Sequence, residues 1–184
     1  MNRKTKTLCE GAIMIALSLV LELITLYKLP SGGSVTLSMI PIILFGVRSG
    51  MGWGAMAGCV FGGLNYIFGG TAIDWTTIIC DYFLAFSMLG FGAGLFRRKR
   101  LGCIWGSMIG ITLQFIASYL VGVFVWGKWM PEEFLGMTMT TPWLYSFFYN
   151  ILWAGPDLIL AVAVFAALYQ LKPMQKFITG NDLR

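Results

Sequence analysis

Long apolar runs follow one another along almost the whole chain, separated by short stretches rich in glycine, proline and charged residues. A run of about 18 or more apolar residues is long enough to cross the hydrocarbon core of a bilayer as a helix. Six runs can be delimited, the second of them short, at about residues 9–27, 37–47, 51–68, 75–96, 101–126 and 142–171. The pattern predicts an all-α integral membrane protein with six transmembrane helices, and it leaves residues 1–184 as a single membrane-embedded domain.

Composition and charge support this interpretation. The chain is 58% hydrophobic and 11% charged, whereas a soluble domain usually carries about a quarter charged residues. With both termini in the cytoplasm, every Lys and Arg except Lys28 and Lys128 falls on the cytoplasmic side. That asymmetry follows the positive-inside rule. Topology therefore explains the net charge of +5, and we expect no nucleic-acid partner.

Glycines recur every four residues on two of the predicted helices. They are Gly50, Gly54, Gly58 and Gly62 in the third run, and Gly102, Gly106 and Gly110 in the fifth. Residues four apart share one face of a helix, and glycine there lets a second helix approach closely. We expect another helix to lie in the groove of the third run.

The first run has a smaller pattern of the same kind, Ala12 and Ala16. Two interpretations remain open for this pair. The alanines either pack against helices of this chain or form the contact with a partner membrane protein.

Polar and aromatic side chains gather at one predicted depth. Asp81 lies some six residues inside the fourth run, roughly 8–9 Å deep at the helical rise of about 1.5 Å per residue. A carboxylate there costs on the order of 3 kcal/mol, so we expect it to face a ligand or a structural hydrogen-bond partner. The other members of this outer layer are Tyr82, Ser118, Tyr119, Gly122, Trp126, Tyr145 and Asn150. Helices that deliver such groups to one level predict a pocket open to the outside.

The chemistry of this layer favours a small aromatic cation. Asp81 supplies negative charge, and rings such as Trp126 and Tyr145 supply cation–π attraction of about 2 kcal/mol or more when desolvated. Asn150 offers an amide that pairs with a heterocycle edge. Histidine is absent, which removes the commonest general base and metal ligand. We expect no enzyme activity, no metal and no cofactor.

These residues resemble the thiamine-specific substrate-binding subunit, or S component, of energy-coupling-factor (ECF) vitamin transporters. The similarity covers nearly the whole chain. Its motifs are Ala12 with Ala16, the segment 29–37 with Pro41, Asp81-Tyr82 with residues 84–86, Gly122 with Trp126, and the segment 142–146 with Tyr149-Asn150.

The resemblance implies a six-helix protein of a prokaryotic-type plasma membrane that captures thiamine from outside the cell. It implies pocket roles for Asp81, Tyr82, Gly122, Trp126, Tyr145 and Asn150. It implies that Gly32, Gly33, Ser34 and Thr36 belong to a lid loop. In such a transporter, the first helix, with Ala12 and Ala16, docks on an ECF transmembrane coupling subunit that is driven by two separate ATPase subunits.

Three positions depart from the family pattern. Ser118 stands where the family usually has a histidine, Gln114 where it often has a basic residue, and Phe83 where a proline is frequent. An S component for another small heterocycle, such as the thiamine pyrimidine precursor, is the alternative that these departures keep open. A membrane scaffold or assembly subunit is the alternative from a different class.

Overall fold

The computed structural model describes residues 2–29 and 33–179. Helices make up most of this part of the chain, as the sequence predicts. They are α1 (Arg3–Leu23), α2 (Met39–Ser49), α3 (Met51–Ile67), α4 (Trp75–Gly94), α5 (Gly102–Phe124), α6 (Pro142–Leu168) and α7 (Lys172–Thr179). A short 3₁₀ turn, Trp126–Trp129, follows α5.

Three helices of the described chain are long and apolar enough to cross a membrane: α4, α5 and α6, with 20, 23 and 27 residues. The shorter apolar helix α2 lies at the centre of the bundle, where Ile42, Ile43 and Val47 are fully buried. α1 begins at Arg3, within the basic head, although its apolar run starts only at Cys9. Helical structure thus extends beyond the run that predicts it.

Two connections that the sequence analysis leaves outside the helices contain short β-hairpins. β1 (Tyr27–Lys28) pairs antiparallel with β2 (Ser34–Val35), and β3 (Glu133–Phe134) pairs antiparallel with β4 (Met137–Thr138). Leu135 and Gly136 join β3 to β4 with φ of 55° and 73°. Positive φ at both residues of a two-residue turn matches the twist of a hairpin.

Glycine contacts fix α4 between two neighbouring helices. A Cβ at Gly54, Gly58 or Gly62 of α3 would lie 2.0 to 2.3 Å from a backbone carbonyl oxygen of α4. On the other side, a Cβ at Gly110 of α5 would lie 2.6 Å from the Leu89 carbonyl oxygen. The predicted groove on α3 is confirmed, and α4 is the helix that occupies it.

Within α4, the stretch Ile78–Leu84 is a π-helix, in which the Ala85 N–H donates to the Cys80 carbonyl. Such stretches are rare and often occur at functional sites. α4 starts at an N-cap, where the Thr77 N–H donates to Asp74 at 2.9 Å. This bond lowers the pKa of the exposed Asp74 carboxyl.

Arg48 connects its own helix α2 with α1 and α7. It lies at the end of the bundle where α2 ends. Its guanidinium is buried, forms an ion pair with Glu10 of α1 and donates to the Phe177 carbonyl of α7. It also lies 3.9 Å from the centre of the Phe177 ring. The amphipathic helix α7 is therefore anchored to the bundle, and its Ile178 is fully buried.

Candidate functional site

A cavity of about 500 Å³ lies at the end of the bundle where α2 begins. α1, the β1–β2 hairpin, α4, α5 and α6 all contribute side chains to it. The residues of the predicted pocket that line it are Asp81, Tyr82, Ser118, Gly122, Trp126, Tyr145 and Asn150. The structure therefore brings together residues that are far apart in the sequence. Asp81 and Asn150, for example, are separated by 69 positions.

Asp81 projects into this cavity from the π-helical stretch of α4. Ser118 and Trp126 are polar neighbours of its carboxyl. Both are neutral, so they do not neutralise the negative charge of Asp81. Such a carboxylate provides an attachment point for a cationic or donor-bearing ligand.

Tyr82 lines the cavity with its ring while its hydroxyl is engaged elsewhere. The hydroxyl accepts the Thr71 N–H at 2.7 Å and donates to the Thr71 carbonyl at 3.0 Å. Its ring lies 5.2 Å from that of Tyr66. Tyr82 thus holds the α3–α4 connection against the cavity wall.

Gly122 makes room for a close approach of α5 and α6. A Cβ at this position would lie 2.1 Å from Ser146 Oγ. Gly122 is one of the predicted pocket residues. In the structure, the Ser146 hydroxyl fills the space beside the glycine.

Asn150 is buried and held by two residues of its own helix. Its Nδ2 donates to the Ser146 carbonyl at 2.8 Å, and the Trp153 indole donates to its Oδ1 at 3.1 Å. Ser146 and Trp153 also line the cavity, yet neither was predicted as a site residue. Their spacing of four and three residues from Asn150 is the signal that points to them, because such residues share a helix face.

Tyr145 and Tyr149 connect the cavity to the two hairpins. The Tyr145 ring packs edge-on against Phe134 of β3 at 5.3 Å and lies 5.8 Å from the Tyr149 ring. The Tyr149 hydroxyl accepts the Gly33 N–H at 2.9 Å. One aromatic cluster thereby contacts both connections above the helices.

The predicted lid is anchored by two acidic residues that are not among the predicted site residues. Glu22 of α1 accepts hydrogen bonds from the hydroxyls of Ser34 and Thr36, both at 3.1 Å. Asp157 of α6 accepts the Thr36 N–H at 3.0 Å. Gly33, Ser34 and Thr36 line the cavity, whereas Gly32 lies outside the described residues.

Asp157 therefore has a structural partner, Thr36, that the sequence analysis does not predict. Asp157 directly follows Pro156 inside α6, but its bond to Thr36 is made to a distant segment. The two residues are 121 positions apart, so no local pattern relates them.

Tyr119 does not line the cavity, which corrects its predicted place beside Ser118. Its ring packs against Trp143 at 5.9 Å and against Phe115 at 6.0 Å. Adjacent residues of an α-helix differ by about 100° in direction. Ser118 faces the cavity, so Tyr119 points to a different side, and only its carbonyl supports the site by accepting the Ser146 hydroxyl.

Ala12 and Ala16 are exposed on α1, on a surface that also exposes Ile13 and Leu17. The contact of α1 with the bundle uses other positions: a Cβ at Gly11 would meet the Phe45 ring at 2.9 Å. Of the two interpretations of the alanine pair, packing inside this chain does not agree with the exposed positions. Contact with a partner stays a prediction.

In residues 2–29 and 33–179, no group of three or more His, Cys, Asp or Glu side chains is arranged to hold a metal ion. The polar groups that line the cavity include carboxyls, hydroxyls, amides, the Lys28 amine and the Trp126 indole. Their arrangement suits hydrogen bonding to an organic ligand.

The family model described as "Thiamine transporter protein (Thia_YuaJ)" matches residues 8–177. The chain belongs to this family. A relative named thiamine transporter ThiT, from Bacillus subtilis (strain 168), is 27% identical over 190 residues, which cover 94% of each chain. A second ThiT, from Lacticaseibacillus paracasei, is 25% identical over 94% of this chain and 90% of its own length.

A solved structure of ThiT from Listeria monocytogenes has a similar fold, with a TM-score of 0.81 and 25% identity. The match covers 96% of this chain and 99% of the ThiT chain. These findings confirm the family resemblance drawn from the sequence. Membership of a transporter family agrees with apolar helices that are able to cross a membrane.

Proposed function

We propose that this protein captures thiamine from outside the cell as the S component of an ECF-type vitamin importer. The observation that carries the proposal is the convergence of Asp81, Trp126, Tyr145 and Asn150 on one cavity. Thiamine combines a permanently charged thiazolium ring with an aminopyrimidine. A carboxylate, aromatic faces and an amide are complementary to those two rings.

The proposal includes a topology. The six helices α1 to α6 span the plasma membrane as one domain over residues 1–184, with both termini in the cytoplasm. The Lys and Arg distribution supports this orientation, since Lys28 and Lys128 are the basic residues that it leaves outside. It puts the cavity near the outer surface and the Arg48 cluster near the cytoplasm.

Uptake requires further subunits in this proposal. The printed sequence contains no Gly-x-x-x-x-Gly-Lys-[Ser/Thr] phosphate loop, so we assign ATP hydrolysis to two separate ATPase subunits. The exposed face of α1 with Ala12 and Ala16 serves for docking to the ECF transmembrane coupling subunit, and membrane lipid covers the other exposed apolar faces. Ala16→Trp is expected to abolish uptake in cells while thiamine still binds the purified variant. Loss of binding as well would contradict the docking role.

Calorimetric titration of the purified protein with thiamine tests the capture step. We expect saturable binding that Asp81→Asn weakens by about 100-fold, since losing one partner of a desolvated charged contact costs about 2–5 kcal/mol. Asp74→Asn is the matched control, because Asp74 is an exposed helix cap outside the cavity. No saturable heat for the wild-type protein up to millimolar thiamine would contradict the proposal.

Ser118 supports a second candidate ligand. In the cavity, it provides a small hydroxyl beside Asp81, where the family resemblance leads one to expect a histidine. A related heterocycle such as the thiamine pyrimidine precursor fits that smaller group. Competition by the free pyrimidine in the thiamine titration distinguishes the two ligands. A membrane scaffold, by contrast, would bind neither.

A further inference from the structure

The amide of Asn150 has one chemically consistent orientation. The Trp153 indole N–H is only a donor, so the Asn150 atom 3.1 Å from it must be the oxygen Oδ1. The Ser146 carbonyl is only an acceptor, so the atom 2.8 Å from it must be the nitrogen Nδ2. Two independent partners thus agree on how the amide is turned.

The same network uses up the donors of Asn150. One N–H is directed to the Ser146 carbonyl, and the other to Ser146 Oγ at 3.2 Å. The Ser146 hydroxyl donates its own hydrogen to the Tyr119 carbonyl at 2.8 Å, so toward Asn150 it acts as an acceptor. What Asn150 retains for the cavity is the second lone pair of Oδ1.

We propose that Trp153 and Ser146 are positioning residues that make Asn150 a hydrogen-bond acceptor toward the ligand, so that the cavity selects an amino group over an oxo group. This inference rests on the proposed function, in which the ligand carries an aminopyrimidine. It sharpens the expectation that Asn150 pairs with both a donor and an acceptor. In the network described, Asn150 can pair only with a hydrogen-bond donor of the ligand.

Two further groups that face the cavity can accept a hydrogen bond. Asp81 presents a carboxylate, which accepts hydrogen bonds when ionised. Gln114 is 3% exposed and lines the cavity, and its Oε1 has no hydrogen-bond partner in the described part of the chain. A buried acceptor without a partner costs about 1–3 kcal/mol until a donor reaches it. A ligand N–H group that reaches Gln114 Oε1 satisfies it.

Trp153 is held in place by its surroundings. The side chain is buried, and a Cβ at Gly33 of the lid would lie 3.0 Å from Trp153 Cδ1. The lid therefore packs directly on the residue that orients Asn150. Replacing the indole by a phenyl ring removes its donor and keeps an aromatic ring at this contact.

The test compares two ligands on each variant. Thiamine carries the amino group, and oxythiamine carries an oxo group in its place. Calorimetry gives the ratio of the two affinities for the wild-type protein, for Trp153→Phe, for Ser146→Ala and for the double variant. Each lost hydrogen bond lowers the energy needed to turn the amide over, so each single variant should reduce the preference for thiamine by about 3–10-fold. The double variant should reduce it further.

Trp143→Phe is the matched control, because Trp143 is exposed and packs on Tyr119 and Phe124 outside the cavity. Its ratio should equal that of the wild type. If Trp153→Phe and Ser146→Ala weaken both ligands equally, or leave both unchanged, the positioning role is overturned. If the wild-type protein binds neither ligand, the proposed function fails instead. Melting temperatures of all variants identify any that are unfolded, and for such a variant the other substitution supplies the ratio.

Discussion

The two ends of the helix bundle both carry charged side chains, but these have different partners. At one end, Arg48 pairs with Glu10 and lies over the Phe177 ring, so the protein supplies both charges. At the cavity end, the polar neighbours of Asp81 are the neutral Ser118 and Trp126. Among residues 2–29 and 33–179, no Lys or Arg forms an ion pair with Asp81.

A buried charge without an opposite partner destabilises a fold by several kcal/mol. This fold keeps the half-buried Asp81 carboxyl beside a cavity and pairs its buried guanidinium elsewhere, and it thereby separates stability from binding. We interpret the Arg48 end as structural and the Asp81 end as the place where a ligand supplies the missing positive charge.

The largest effect is expected at the Arg48 end. Arg48→Met leaves Glu10 without its partner and removes the cation over Phe177. We expect about 3–5 kcal/mol of lost stability, as for other broken buried pairs, measured by thermal or denaturant unfolding in detergent. Arg100→Met is the control, because Arg100 is exposed. Equal stability of the two variants would contradict a structural role for Arg48.

At the cavity end, we expect the substitution to leave the stability of the unliganded protein unchanged or to increase it. Asp81→Asn removes a charge that has no oppositely charged partner among residues 2–29 and 33–179, so the unliganded variant should melt at a temperature equal to or higher than the wild type. Its thiamine affinity should fall by about 100-fold, or roughly 3 kcal/mol. A variant that is clearly less stable without ligand would show that Asp81 has a structural role after all.

Between the two ends, α3 and α4 approach so closely that one change should disturb both. A Cβ at Gly58 would lie 2.0 Å from the Phe86 carbonyl oxygen. We expect Gly58→Ala to reduce stability by about 2 kcal/mol, as overpacking does, and to weaken thiamine binding because α4 carries Asp81. Gly52→Ala is the matched control on the same helix, since nothing lies within 4 Å of its Cβ. The two variants should differ both in their stability, measured by unfolding, and in their thiamine affinity, measured by calorimetry.

The smallest effect concerns the lid. Glu22→Gln weakens the bonds that hold the hydroxyls of Ser34 and Thr36. Bonds to a charged group contribute about 1.5–3 kcal/mol, and glutamine retains part of them. We therefore expect dissociation of thiamine to accelerate by about 3–5-fold, a change of roughly 1 kcal/mol.

Stopped-flow Trp fluorescence measures that rate. Glu132→Gln provides the comparison, because Glu132 is an exposed residue near the other hairpin. An unchanged dissociation rate in Glu22→Gln would mean that the hairpin does not retain the ligand.

Much of the architecture follows from local patterns in the sequence. The bounds of α3 to α6 agree with the apolar runs, and the four-residue spacing of the α3 glycines predicts their contact with another helix. These features depend on residues close together in the chain. The hairpins were missed because their strands are only two residues long, too short to form an alternating pattern.

The sequence predicted at which level along the helices the site residues lie, but not which side of each helix faces the cavity. A count of residues from the helix start places Asp81, Ser118 and Tyr119 at similar levels. It does not say which side of α5 faces the cavity, so Ser118 lies on the cavity wall while Tyr119 lies outside it. The π-helical stretch around Asp81 likewise has no simple signature in the sequence.

By itself, the sequence determined that apolar helices dominate, that the glycine face of α3 lets another helix approach closely, and that polar groups occur at one depth. These properties follow from composition and from the 3.6-residue period of the helix. Only the tertiary structure decided which partners those groups have. Asp157 binds Thr36 across 121 positions, and the orientation of the Asn150 amide depends on where Trp153 and Ser146 meet it. Hydrogen bonds require atoms within about 3 Å in a defined direction, and only the packing of helices on one another sets such distances.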